Sequence, residues 1–262
     1  ALSNYDQCFL TTDGGINWTI SSYDTTESII RNLYFINDTH GWAAGALGGG
    51  FYRTTDGGAS WIAITNAPDT TKYGIHFATP LVGWSVGFNG LIIKTTDGGA
   101  SWFSQTNTGL TTKTLYGVYA VDTSNVYVVG NTATVLKSTD GGASFAQVNL
   151  GSITSADYRA VRFIDANNGF VVGARHRILR TTDGGLTWTQ QNDISSTSRI
   201  LWDIDFNSQG TGIAAGTDTV AFRTTNFGAT WTQFYLPGGS APGVKYAVDF
   251  HGDNTVLING GR

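Results

Sequence analysis

The sequence predicts an all-β protein: a six-bladed β-propeller of four-stranded antiparallel blades, with the last blade closed by pairing of the N- and C-terminal strands. Three observations carry this prediction. An eight-residue motif recurs six times at a period near 43 residues. Four short β-rich runs bounded by turn signals fill each period, the pattern of a propeller blade. No segment of ten or more residues shows helical periodicity.

Composition agrees. Of 262 residues, 35 are Gly and only 13 % are charged, against roughly 7 % Gly and 25 % charge in an average soluble domain. Eight Trp, 11 Tyr and 14 Phe supply a core, and a net charge of −4 does not point to disorder. With no polybasic run, nucleic acid is not an expected partner. With no apolar stretch near the roughly 20 residues of a span, membrane insertion is not expected either. A single cysteine, Cys8, rules out a disulfide scaffold, and no Cys/His spacing fits zinc. The missing methionine and the start at Ala1 are expected of a mature or excised fragment, or of one domain of a longer chain.

The octets run from Thr11 to Trp18, Thr54 to Trp61, Thr95 to Trp102, Ser138 to Phe145, Thr181 to Trp188 and Thr224 to Trp231. Their third residues, Asp13, Asp56, Asp97, Asp140, Asp183 and Asn226, are spaced 43, 41, 43, 43 and 43 apart. Before each octet the same order recurs. A first strand ends in an aromatic (Phe35, Phe77, Phe163, Phe206, Phe250, with Ala120 in the third copy). A second strand follows, as in Gly83-Trp84-Ser85-Val86-Gly87. After a Gly/Asn-rich turn, a third strand such as Leu91-Ile92-Ile93-Lys94 leads into the octet, and a fourth begins at its aromatic. The blades fall at about 30–65, 73–106, 114–149, 157–192, 200–235, and 244–262 with 1–20, one domain over 1–262. The N-terminal end holds only third and fourth strands and the C-terminal end only first and second. Joining them removes two free sheet edges.

The octet reads as the hairpin between strands three and four. Its Asp accepts backbone N–H groups across the turn, its glycines take positive φ, the Ser/Thr before the aromatic adds a local acceptor, and the Trp plugs the blade. Asn226 keeps an acceptor oxygen and Phe145 keeps the plug. One carboxylate per octet does not make a metal site, and six copies of one acid cannot share one catalytic centre. No cofactor is expected.

T-x-D-G-G-x-[ST]-W resembles the Asp-box, or bacterial neuraminidase repeat. The extended pattern, as in Gly169-Phe170-Val171-Val172-Gly173 with Ile178-Leu179-Arg180-Thr181-Thr182-Asp183-Gly184-Gly185, is similar to the photosystem II stability/assembly factor-like propellers. The resemblance spans the chain and implies the fold. For function it implies several classes: sialidases, other glycosidases, sorting receptors and assembly factors.

Alternating strand direction places the start of strand one and the turn between strands two and three on one face, and the octets on the other. Four residues before the aromatic that ends strand one stand Arg31, Tyr73, Tyr116, Arg159, Trp202 and Tyr246, a candidate ligand-binding ring at a pore mouth. Lys72, Tyr158, Lys245, Lys113 and Arg199 stand just before them, and Arg175, His176 and Arg177 form a candidate basic patch for a partner. Aromatic faces stack on sugars or peptides, and Arg clamps carboxylates. Asp24, Glu27, Asp69, Asp157, Asp193 and Asp218 offset that charge. Arg53, Lys94, Lys137, Arg180 and Arg223 repeat one position before the octet and read as structural.

Catalytic patterns are weak. A sialidase needs an arginine triad, an acid Asp and a Glu-activated Tyr, yet Glu27 is the sole glutamate. Asp205 and Asp249 occupy equivalent inner-strand positions near Asp203 and offer a possible carboxylate pair, but Tyr34, His76, Tyr119 and Arg162 at the same position describe a polar layer between blades. Cys8 reads as a buried thiol, and Trp42, Trp84, Tyr127 and Phe170 read as core.

The sequence therefore predicts a non-catalytic, secreted or cell-surface (extracytoplasmic) module presenting its top face to a protein partner or a glycan. Two alternatives stand beside it: an assembly factor-like propeller binding a membrane-protein partner through the basic patch, and a glycoside hydrolase using inner-strand carboxylates.

Overall fold

The computed structural model describes residues 7–11, 13, 16–22, 29–46, 50–105, 111–151, 153, 156–191, 199–236, 244–253 and 255–261. The chain divides into two compact units, residues 1–127 with 138–146, and 128–137 with 147–262.

In the first unit, β1 (Gln7–Leu10) and β2 (Thr19–Ser22) form a hairpin. A four-stranded sheet follows from β3 (Ile29–Phe35), β4 (Gly41–Ala46), β5 (Phe51–Thr54) and β6 (Ile62–Ala63). A second comprises β7 (Lys72–Phe77), β8 (Gly83–Gly87), β9 (Ile92–Thr95) and β10 (Phe103–Ser104). The strands β11 (Leu115–Ala120), β12 (Val126–Gly130), β13 (Val135–Ser138) and β14 (Ala146–Gln147) pair in that order, and their residues are divided between the two units.

In the second unit, β15 (Tyr158–Phe163), β16 (Gly169–Gly173), β17 (Ile178–Thr181) and β18 (Thr189–Gln190) make one sheet. Another consists of β19 (Leu201–Phe206), β20 (Gly212–Gly216), β21 (Val220–Thr224) and β22 (Thr232–Tyr235). The hairpin β23 (Val244–His251) with β24 (Thr255–Gly261) ends the chain. Among the described residues there are thus five four-stranded sheets, each the meander of a propeller blade, and two separate two-stranded ones. The terminal strands expected to make one closed blade form two hairpins.

The core sits on the second and third strands. Every residue of β8, β12, β16 and β20 is buried, because a middle strand with both faces covered has no solvent side. Trp42, Trp84, Tyr127 and Phe170 are among its fully buried side chains, and Cys8 is buried as expected. The fourth strands are short and mostly exposed.

The octets close these sheets as predicted, with one change of polarity. In the second octet, Asp56 Oδ1 accepts Ser60 N–H at 2.9 Å, and Thr54 Oγ1 donates to the same oxygen at 2.7 Å. Ser60 Oγ donates to Asp56 Oδ2 at 2.5 Å, so the residue before the aromatic is a donor to the carboxylate and not a further acceptor. The opening Thr54 takes the acceptor role, receiving Gly58 N–H at 2.9 Å. These bonds hold Asp56, and likewise Asp13, Asp140 and Asp183, down to about 2. In the sixth octet Asn226 Oδ1 accepts Thr230 N–H, while its Nδ2 donates to Thr230 Oγ1, reversing one bond.

The basic residue before the octet is structural in two copies. Lys94 Nζ donates to Gly141 O at 2.8 Å, beside Trp84 Nε1 at 3.3 Å, and Lys137 Nζ donates to Gly184 O at 2.7 Å.

Candidate functional site

Pairing between the first two strands of a sheet skips one residue near its start. The register passes from Ile30 to Asn32, Lys72 to Gly74, Tyr158 to Ala160, Leu201 to Asp203 and Lys245 to Ala247. The skipped residues are Arg31, Tyr73, Arg159, Trp202 and Tyr246, five of the six ring positions expected from the sequence. A bulge leaves its extra residue out of the ladder and re-aims its side chain. The glycine ending the second strand makes room for it. A β-carbon on Gly87, Gly173 or Gly216 would lie 2.0, 2.1 or 1.9 Å from the carbonyl oxygen of Thr71, Asp157 or Ile200. Aligning the repeats singled out these positions but missed the bulge, although a terminal strand glycine is a signal for one.

The bulge residues contact one another in a repeated order. In the first unit the Arg31 guanidinium lies 5.7 Å from the Tyr73 ring centroid, and Tyr73 meets Tyr116 at 5.2 Å. In the second unit Arg159 lies 4.7 Å from the Trp202 ring, and Trp202 meets Tyr246 edge-on at 5.5 Å. Each unit thus carries an arginine, an aromatic and a tyrosine in sequence. Arg31 is exposed, where a guanidinium resting on a ring gains about 0.5–1 kcal/mol and its in-plane N–H groups can still meet an acceptor, whereas the Arg159 side chain is only 10 % exposed. Arg159 also pairs with Asp157 at 3.6 Å, whose other oxygen accepts Thr132 N–H at 2.9 Å.

Other expected surface cations are placed differently. Lys72 is 1 % exposed. Its Nζ donates to Pro68 O and Thr70 O at 2.8 and 3.0 Å, and lies 5.3 Å from the Phe51 ring. Burial pulls this amine down to about 8, against the attraction of Asp69. Tyr158 is fully buried as well. The basic patch is not a row of three exposed cations: Arg175 is exposed and Arg177 half-buried, but His176 is buried against the Phe222 ring at 5.6 Å. The reason is the β16–β17 turn, where positive φ at Arg175 and His176 turns the imidazole inward. Burial, with Arg199 nearby, lowers its pKa. Arg199 pairs with Asp218 at 2.6 Å. Asp24, Glu27 and Asp193 lie outside the described residues.

The inner-strand polar layer links neighbouring first strands. Tyr34 Oη donates to Phe77 O at 3.0 Å, and His76 Nδ1 accepts Ala120 N–H at 3.2 Å. Asp205 Oδ1 pairs with Arg162 at 2.9 Å and its Oδ2 accepts Phe250 N–H at 2.8 Å. Asp203 accepts Ile204 N–H and Val248 N–H, each at 2.8 Å. Asp249 is exposed. Among the described residues no three His, Cys, Asp or Glu side chains are grouped to hold a metal.

Comparison with known proteins bears on this geometry. The family model described as photosynthesis system II assembly factor YCF48 matches residues 61–157 and 153–259. No curated protein matches significantly. A structure of YCF48 bound to a D1 peptide is 18 % identical with TM-score 0.59, covering 92 % of this chain and 96 % of that one. Virginiamycin B lyase from Staphylococcus aureus is 15 % identical with TM-score 0.77, covering 97 % and 84 %. A GH74 enzyme from Niastella koreensis is 16 % identical with TM-score 0.63, covering 79 % and 38 %. At such identities these structures report the fold alone. The family match overturns the secreted or cell-surface expectation. That expectation rested on low charge and on Thr, Ser, Asn and Gly richness, which the six turn-dense repeats generate in any compartment.

Proposed function

Because this chain belongs to the photosystem II assembly factor YCF48 family, we propose that it is a non-catalytic, assembly factor-like propeller that binds a peptide segment of a membrane-protein partner through its bulge residues. The observation that carries this reading is the family match over most of the chain. The chemistry is consistent with it: Arg31 on Tyr73 and Arg159 on Trp202 offer flat apolar faces beside guanidinium donors, suited to a peptide with acceptor groups. The relative solved with a D1 peptide favours a protein partner over a glycan. Hydrolysis through Asp205 and Asp249 has less support, since both Asp205 oxygens are engaged.

The six octets further support a single domain of six blades.

The functional test is titration of a labelled D1 peptide into the wild-type chain and into Arg31→Ala, Arg159→Ala and Trp202→Ala. Binding weakened about tenfold or more in the variants, equivalent to about 1.4 kcal/mol, supports the assignment. Failure of the wild type to bind, or variants that bind as it does, overturns it.

A further inference from the structure

The turn between β8 and β9 holds an aromatic side chain in solvent beside the bulge residues of the first unit. Phe88–Gly90 form one 3-10 turn, with Asn89 at φ 55° and Gly90 at φ 71°. Gly87 N–H donates to Leu91 O at 3.0 Å and Leu91 N–H to Phe88 O at 3.2 Å, which closes the turn on itself. Phe88 N–H donates to Thr71 O and Gly90 N–H to Lys113 O, each at 2.9 Å. Thr71 directly precedes β7, and Lys113 stands two residues before β11. The turn is thus strapped between the starts of the strands that carry Tyr73 and Tyr116, whose rings meet at 5.2 Å.

Phe88 is 56 % exposed. At its position the other four-stranded repeats hold Ala46, Asn131, Ala174 and Thr217, so the blade needs no large side chain there. A single exposed apolar residue is ordinary on any surface. This one is held rigid next to two half-buried rings and two exposed cations, Lys113 and the Arg31 that lies over Tyr73.

We infer that Phe88 is the apolar anchor of a peptide subsite, built with Tyr73 and Tyr116 and rimmed by Arg31 and Lys113, that takes a large apolar side chain standing next to a carboxylate. The inference rests on the peptide-binding reading above and names the kind of sequence that the first unit's part of the face selects. A Phe- or Leu-sized side chain laid against these rings leaves water on both partners, and aromatic anchors of this kind dominate binding energy at interfaces. Because the backbone bonds order the anchor in advance, little conformational entropy is lost on binding. Charge selects the neighbouring residue. Asp69, the exposed acid before β7, acts on the buried Lys72 amine, while Arg31 and Lys113 present positive charge in solvent. An acidic residue beside the apolar one complements that charge, and a basic one is repelled.

The test titrates a dipeptide of phenylalanine and aspartate, acetylated and amidated at its ends, into the wild-type chain by NMR. Saturable shifts in the millimolar range are expected at the Phe88, Gly90 and Tyr73 amides. They should be lost in Phe88→Ala and several-fold weaker when the dipeptide carries alanine for phenylalanine or asparagine for aspartate. No saturable shift, shifts that survive Phe88→Ala, or an equal response to the alanine dipeptide overturns the subsite. An equal response to the asparagine dipeptide overturns its choice of a carboxylate. Shifts of the same amides on raising protein concentration alone assign the surface to a second copy and overturn a peptide occupant. Phe88 is exposed, so Phe88→Ala should keep the wild-type thermal midpoint; should it not fold, the control dipeptides on the wild type decide. D1 peptide affinity is measured separately, with about tenfold weaker binding expected in Phe88→Ala. An unchanged affinity overturns the use of Phe88 in holding that partner. No D1 binding, with the dipeptide shifts present, sinks the membrane-protein reading and leaves the subsite supported.

Discussion

Trp42 lies against Gly99, the second glycine of the next repeat's octet, so closely that a β-carbon on Gly99 would sit 2.3 Å from the indole nitrogen. The same relation joins Trp84 to Gly142 and Phe170 to Gly228, where the distances would be 2.7 and 2.2 Å. Second-strand aromatic and octet glycine are two halves of one contact between successive repeats. Gly99 also has φ +80°, a region costly to any residue with a β-carbon. Gly99→Ala is expected to lower unfolding free energy by about 3 kcal/mol, combining backbone strain with overpacking. Gly151→Ala, with positive φ and open space around it, is expected to cost only about 1–2 kcal/mol. Urea unfolding of both variants checks the difference, and equal losses would refute a steric role for Trp42.

The octet aspartates make acid stability predictable. Hydrogen bonds from Ser60, Thr187 and their equivalents hold these carboxylates down to about 2. Their stabilisation is present above the unfolded value near 4 and is lost as pH falls from there towards 2. Thermal midpoints should therefore drop steeply below pH 4. Asp183→Asn should soften that drop and keep near-neutral stability close to wild type, because Asn226 already serves in one octet. Asp183→Ala should lower the midpoint at every pH.

Lys72 acts in the alkaline range. Burial depresses its amine to about 8, below the usual 10.5, so from pH 8 to 10.5 the unfolded chain binds more protons than the folded one. Stability contributed at this site rises with pH across that window. Wild type should therefore gain unfolding free energy relative to Lys72→Met between pH 8 and 10. A difference that stays constant would show that the lysine titrates normally.

Salt separates the two components of the binding face. Surface guanidinium contacts weaken by screening over a Debye length of about 8–10 Å at physiological salt, whereas aromatic burial does not. Raising salt should reduce D1 peptide affinity in the wild type and less so in Arg31→Ala, Arg159→Ala double variants. Trp202→Ala should bind weakly yet keep the wild-type salt slope. A salt-independent wild type would assign the binding to the aromatics alone.

Much of this was legible because the repeat states each signal six times. Octets, second-strand glycine pairs and the aromatic closing strand one define the sheets to within a residue or two. Asp56, Thr54 and Ser60 are local partners within seven residues, so their hairpin could be read from spacing. The ring positions Arg31, Tyr73, Arg159, Trp202 and Tyr246 followed from aligning the copies. Where those side chains rest did not, since the stacking contacts join residues roughly 43 apart in the chain.

The amino-acid sequence by itself determined the all-β class, the blade pattern, the turn chemistry and the buried Cys8, because these depend on local hydrogen bonding and strand periodicity. Tertiary structure alone decided that Lys72 and His176 are buried and Arg175 is not, that Asp205 pairs with Arg162, and that Asp203 faces Val248. Charge type is written in the residue, but its solvation is set by neighbours from other strands, and solvation governs whether a cation is a binding group or part of the core.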